Sequence, residues 1–297
     1  MKKIALLAFA FILGKKAEAQ NIQKAVQTPA APIAHSIFNP KTQRDFSRKG
    51  AWYIYWGWNF SWYDTSNLHF KGPGYDFTLK QIRAHDRPSK LSTDYINPME
   101  LTTPQFDFRI GYFFKDNFSI SLGWDHMKYV MDIPQTVKID GYISPMISEP
   151  GIPTGHYAGT YQDRPLTVKG DMLTFEHTDG FNYISVELER YDDIWVSHAQ
   201  KNMLTLETGI GAGAMIPRSD VKLFGVGKNN FWNFAGYGVS LKAGLKFHLT
   251  KKLYLQNTTK IGHTDMWAIH TTGRNAIDGA SQTIRYLENF SAIGFQF

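Results

Sequence analysis

From residue 51 onward, apolar residues alternate with polar or small ones over stretches of barrel-strand length. In 51–63, Trp52, Ile54, Trp56, Trp58, Phe60 and Trp62 share one face, and Tyr55, Gly57, Asn59 and Ser61 take the other. A period of two places successive side chains on opposite sides of a strand, so the two faces have different surroundings. In 105–114, Phe106, Phe108, Ile110, Tyr112 and Phe114 alternate with Asp107, Arg109 and Gly111. In 118–131, Phe118, Ile120, Leu122 and Trp124 take the outer phase, and in 181–191 Ile184, Val186 and Leu188 oppose Ser185, Glu187 and Glu189. The pattern continues in 203–216, 236–248, 253–267 and 282–297. A tilted strand crosses a bilayer in about nine to eleven residues, so eight spanning strands are predicted. Their connections are short after the second, fourth and sixth strands and long over 64–104, 132–180, 217–235 and 268–281. The expected fold is all-β: a transmembrane, antiparallel, up-and-down β-barrel of eight strands occupying residues 51–297. Closure has a physical reason, because lipid offers no partner to an unpaired backbone amide.

The N-terminal end reads differently. Met1-Lys2-Lys3, an apolar run from Ile4 to Leu13 and Ala17-Glu18-Ala19 make a secretory signal over 1–19, with Gln20 the expected first residue of the mature chain. That segment carries four lysines and one glutamate, so half of the chain's net charge of +6 leaves with it. The basic balance is then partly an export feature, and nucleic acid is not an expected partner. Residues 20–50, with Pro29, Pro32 and Pro40, read as a flexible periplasmic lead-in, with a plug or partner-binding segment as the alternative. There is no cysteine, so disulfides cannot staple the fold. Aromatics reach 15% of the chain, as the two interfacial girdles of a barrel would require.

The chain ends Ala292-Ile293-Gly294-Phe295-Gln296-Phe297. This resembles the C-terminal strand of small bacterial outer-membrane β-barrel proteins of the eight-stranded class, and the Gln after the cleavage site resembles exported proteins of the Bacteroidota. The resemblance implies a Gram-negative outer membrane, contact with its lipid and lipopolysaccharide, and engagement by the barrel assembly machinery during biogenesis.

The inward phase carries the candidate chemistry. Asp107, Arg109, Asp125, Glu187, Glu189, Glu207, Lys242, Lys246 and Lys260 point into a lumen only wide enough for side chains. Charges of both signs confined there must pair or stay hydrated, so a salt-bridge network is expected. His126 and Lys128 fall on the outward phase near the outer rim, in reach of lipopolysaccharide phosphates. His263 and Asp265 share a face, with Ser281 or Ser291 on or beside the neighbouring strand, and form a catalytic candidate. On the last two strands the outward phase runs through Asn257, Thr259, Asn289 and Ser291, which is either a polar partner face or the mark of a β-bulge. His69, His85, His156, His177 and His270 lie in the long loops without metal-site spacing, even at Glu176-His177-Thr178-Asp179. No metal and no cofactor is expected.

Two of the long loops exceed forty residues, beyond an ordinary connection, and a semi-ordered canopy of hairpins is expected above the membrane. The expected function is a non-enzymatic structural, accessory or binding role through these loops, with another outer-membrane protein as a candidate partner. The alternatives are a lipid A-modifying acyl hydrolase or acyltransferase, and a narrow channel for small solutes.

Overall fold

A computed structural model describes residues 44–89, 104–148, 151–227 and 232–297. The expected signal segment, the start of the mature chain and the lead-in up to residue 43 lie outside the described residues. In chain order the strands are β1 (Trp52–Tyr63), β2 (Ser66–Gly72), β3 (Tyr75–Ile82), β4 (Ala84–His85), β5 (Phe106–Lys115), β6 (Phe118–Met131), β7 (Gln135–Ile143) and β8 (Met146–Ile147). They continue as β9 (Ile152–Pro153), β10 (Gly159–Val168), β11 (Leu173–Val196), β12 (Met203–Met215), β13 (Asp220–Leu223), β14 (Gly236–His248), β15 (Leu253–Ile269) and β16 (Gly279–Gln296).

Eight of these close a ring in the order β1-β5-β6-β11-β12-β14-β15-β16, with every neighbouring pair antiparallel. The seam is β1 on β16, in unbroken register from Tyr53↔Gln296 to Tyr63↔Tyr286. These are the eight strands the alternation predicts. The fourth is longer than expected, because β11 runs on above the spanning segment and gains β13 as a partner there.

The two phases separate as the sequence implies. Val186, Ile210, Leu241 and Ile261 are all at least half exposed on the outer wall. A soluble sheet does not leave such a band bare, whereas hydrocarbon is its matching solvent. Trp52, Phe114, Phe295 and Phe297 mark one edge of the band, and Trp62, Tyr237, Phe234 and Trp267 mark the other. A closed, even-stranded ring with an apolar belt, aromatic girdles and long loops at one end is the architecture of an outer-membrane barrel.

The described parts of the long loops contribute strands to one hydrogen-bonded sheet where a semi-ordered canopy of hairpins was expected. β2 continues along the edge of β16 that β1 occupies lower down, pairing Leu68↔Gln282 through Lys71↔Gly279. β3 folds back on β2, β7 adds to β3, and β10 adds to β7. The result is an extracellular sheet hydrogen-bonded to the barrel wall. It encloses an apolar core that includes Phe70, Phe77, Leu79, Met127, Ile139 and Leu173, all nearly or fully buried. The protein therefore has an apolar core above the membrane and a polar one within it.

Candidate functional site

The lumen is a packed ion cluster. Arg109 of β5 donates to Glu187 of β11 at 2.8 Å, to Ser121 and Ser185 at 3.0 Å, and to Tyr55 Oη at 3.2 Å. Lys242 of β14 reaches Glu187 and Glu207 at 2.7 Å and Glu189 at 3.1 Å. Lys260 of β15 pairs with Asp125 and stands 3.1 Å from Glu187. Glu187 is thus shared by three cations, and every charged side chain of this cluster is at most 1% exposed. Burial at this depth costs several kcal/mol per ion unless each is paired and hydrogen-bonded. Here hydroxyls add to the ion pairs, with Tyr53 donating to Glu189 at 2.9 Å and Tyr191 to Glu207 at 3.2 Å.

Glycines on the inward phase make room for the cluster. A Cβ at Gly123 would sit 2.4 Å from the Arg109 guanidinium carbon, and one at Gly211 would sit 2.7 Å from Glu187 Cγ. The sequence shows these as small residues alternating with bulky ones, but not which charge each accommodates.

Lys246 was expected among the ion pairs and is held otherwise. Its ammonium stands 4.2 Å from the ring centre of Tyr254, 4.5 Å from Tyr191 and 4.9 Å from Tyr53, inside a cage of aromatic faces. Asp107 accepts from Asn59 at 3.3 Å and lies with Asp125 and Glu288, the three offering oxygens within 4.8 Å of one another. Lys260 is the cation beside this group, bonding Asp125 and approaching Glu288 to 3.9 Å. Glu288 was not anticipated, although the outward phase of Ser291 and Asn289 implies that it points inward.

The lumen is closed below and above. At the periplasmic mouth Arg48 bonds Asp193 and Thr205, the latter at 3.0 Å, while Arg44 reaches Asp116 at 2.7 Å and Asp193 at 2.5 Å. Residues 44–50, expected within the flexible lead-in, are instead built into the mouth. Above the ions, Met127, Phe181, Met215, Met266 and Ile284 fill the bore without solvent exposure.

His126 and Lys128 do face away from the lumen, but they are not on a free surface. His126 is fully buried, stacked on Phe106 with ring centres 5.1 Å apart and bonded to Asn182 at 2.6 Å. Lys128 is 8% exposed and donates to Ser89 at 2.8 Å. For Lys128 the cause is β4, which pairs with the end of β6 and leads to Ser89, whereas His126 packs against Phe106, Trp124 and Asn182. The expected outward reach to lipopolysaccharide from these two side chains is therefore corrected.

His263 and Asp265 share an outward face as expected, and Thr283 donates to Asp265 at 3.3 Å. Ser291 does not join them. It pairs with Asn257, six residues from His263 along β15, which is about 20 Å of extended chain. Those three form no common site. The polar positions on the same hairpin do come together. Asn257 donates to Asn289 at 3.1 Å and to Ser291 at 2.9 Å, and Asn289 donates to Thr259 at 3.0 Å. Register between β15 and β16 is unbroken from Leu253↔Phe295 to Met266↔Gln282, so no bulge resets the phase there. A hydrogen-bonded ladder of amides and hydroxyls stands on the outer wall.

In the extracellular core, His177 bonds Ser219 at 2.9 Å among Tyr129, Phe175 and Phe181. Burial there pushes its imidazole down to about 3, so it is neutral and acts as a packing residue.

No protein-family model and no curated protein matches this sequence. Among solved structures, the chain is similar to the outer membrane protein OprG from Pseudomonas aeruginosa, at 8% identity and TM-score 0.39 over 86% of this chain and 99% of that one. It is also similar to Ail, the attachment invasion locus protein of Yersinia pestis, at 12% identity and TM-score 0.30 over 84% and 99% of the two chains. A third similar structure is the outer membrane protease OmpT from Escherichia coli, at 12% identity and TM-score 0.29 over 86% and 99%. The barrel of the present chain is defined by its own closed ring of strands.

Proposed function

We propose that this protein is a structural and binding component of the outer membrane that works through its extracellular sheet. The membrane barrel is a non-conducting mount for that sheet. The observation that carries this reading is the direct hydrogen bonding of β2 to β16, which makes the β2-β3-β7-β10 sheet an extension of the wall. A surface held this way loses little conformational entropy when it binds, which favours recognition. The filled bore argues against the channel alternative, since Arg109, Lys242 and Lys260 pair with buried carboxylates across the lumen and apolar side chains pack above them. The outer-wall ladder at Asn257, Thr259, Asn289 and Ser291 suits a second outer-membrane protein, and the remaining wall suits lipid and lipopolysaccharide. The alternating C-terminal strand suits recognition by the barrel assembly machinery.

Two measurements test the proposal. Purified protein in planar bilayers should give no discrete conductance steps. Photo-crosslinkers at Lys138 and Tyr142, outward on β7, should capture a discrete species on intact cells, while one at Leu241 on the lipid face should not. Conductance with no capture at β7 would reverse the assignment in favour of a channel.

A further inference from the structure

Ser281, distant in the chain, shares the outer surface of the extracellular sheet with His69 and Asp76. Ser281 of β16 is the direct cross-strand partner of His69 of β2. Direct partners in an antiparallel pair share a face, with Cβ atoms about 4.5–5.5 Å apart. His69 is bonded through Nε2 to Oδ1 of Asp76 on β3, at 2.8 Å, so Nδ1 is the ring nitrogen that Asp76 does not engage. Leu68, Phe70, Tyr75, Phe77, Ala280 and Gln282, the flanking residues on the three strands, are buried. Ser281, His69 and Asp76 therefore all face outward. Ser281 and His69 line a cleft of 540 Å³ that also takes in Lys71, Trp267 and Ile277. Trp267 and Ile277 are about half exposed there, an apolar wall at the level of the upper aromatic girdle.

We propose that Ser281, His69 and Asp76 form a nucleophile, base and orienting acid that hydrolyse fatty-acyl esters presented at the membrane surface. A hydroxyl becomes a nucleophile when a neutral imidazole takes its proton and a carboxylate fixes the ring, whatever the fold that brings the three together. Ser281 Oγ attacks the ester carbonyl carbon as its proton passes to His69 Nδ1. The tetrahedral intermediate collapses with cleavage of the ester C–O bond, and His69 returns the proton to the leaving alcohol. Water, activated by the same nitrogen, then releases the fatty acid from Ser281. Lys71, two residues along the same face from His69 and 3.5 Å from Asp76, is the cation within reach of the developing oxyanion. Asp76 suits the orienting role, because the bond from His69 holds its carboxyl below the usual carboxylate range and keeps it ionised. The acyl chain is assigned to the Trp267–Ile277 wall. Ester chemistry is shared by phospholipids and lipid A, and the assay separates the two sources.

The assignment does not depend on what the extracellular sheet binds. The full barrel in detergent is treated with a fluorophosphonate, which labels only activated serines, and the adduct is located by peptide mass spectrometry. Fatty-acid release is then followed from p-nitrophenyl palmitate, from phosphatidylethanolamine vesicles and from lipid A vesicles. The expected result is a single adduct on Ser281 and turnover that Ser281→Ala and His69→Gln each reduce by about 10³-fold or more. Asp76→Asn should lower turnover and alter its pH profile. All variants should keep the wild-type gel shift between unboiled and boiled samples, since the residues are above the membrane-spanning part of the barrel. Release from only one vesicle type identifies the source. Absence of the Ser281 adduct, or wild-type turnover no greater than that of Ser281→Ala, overturns the proposal.

Discussion

Glu187→Gln is the sharpest probe of the lumen. The substitution keeps size and shape while removing the negative charge that Arg109, Lys242 and Lys260 share at 2.8, 2.7 and 3.1 Å. Breaking a buried pair by removing one partner costs about 3–5 kcal/mol, because the other charge is left uncompensated. Each cation here keeps a second anion: Asp125 for Arg109 and Lys260, and Glu189 and Glu207 for Lys242. The loss should therefore fall near the low end, about 3 kcal/mol. Glu187→Lys should be much worse, setting a fourth cation among three, and should prevent assembly. Its neighbour Val186 points into lipid, where Val186→Lys should cost about 2–4 kcal/mol near the midplane. The assay is reversible urea unfolding in lipid vesicles, followed by the mobility of unboiled samples on gels. A double-mutant cycle of Glu187→Gln with Lys242→Met should show a coupling of at least about 1 kcal/mol. A Glu187→Gln protein within about 0.5 kcal/mol of wild type would refute the view that the ion cluster braces the barrel.

The periplasmic mouth and the outer-wall ladder give two further tests. Burial opposes the charge on Asp116, but Arg44 outweighs it. Burial likewise opposes Asp193, but Arg48 and then Arg44 outweigh it, so both carboxyls lie below their usual range. A depressed carboxylate contributes stability above its unfolded pKa of about 4 and loses it as pH falls through the folded value. Residues 44–50 should accordingly become protease-sensitive only in acid below about pH 4, and Arg44→Ala should bring that sensitivity to neutral pH. Unchanged cleavage across that range would show that the clasp does not hold the segment. On the outer wall, photo-crosslinkers at Asn257 and Asn289 should capture a discrete membrane protein that a crosslinker at Leu241 does not. Equal labelling at all three positions would reduce the ladder to a lipid-facing patch that satisfies its own hydrogen bonds.

The alternation of side chains belongs to the strand itself, so much of the architecture is legible without any structure. It assigns Val186 to lipid and Glu187 to the lumen, counts eight strands, and sets Asn257 and Asn289 on the outer face. What alternation cannot supply is the identity of the neighbour. Glu187 reads as a lumen charge from its phase, but only strand order around the ring brings three cations to it from β5, β14 and β15. Lys246 has the same phase as Lys242, yet lies one layer lower, where the wall supplies tyrosine faces instead of carboxylates. His126 has an outward phase, and only its neighbours across the strands, Phe106 of β5 and Asn182 of β11, enclose it. His69, Asp76 and Ser281 belong to segments that read as loop or strand end, and register between β16, β2 and β3 places them on one face. Phase is fixed by local backbone geometry, whereas contact across strands is fixed by closure and long-range register, and the ion cluster and the serine cleft belong to that second kind of information.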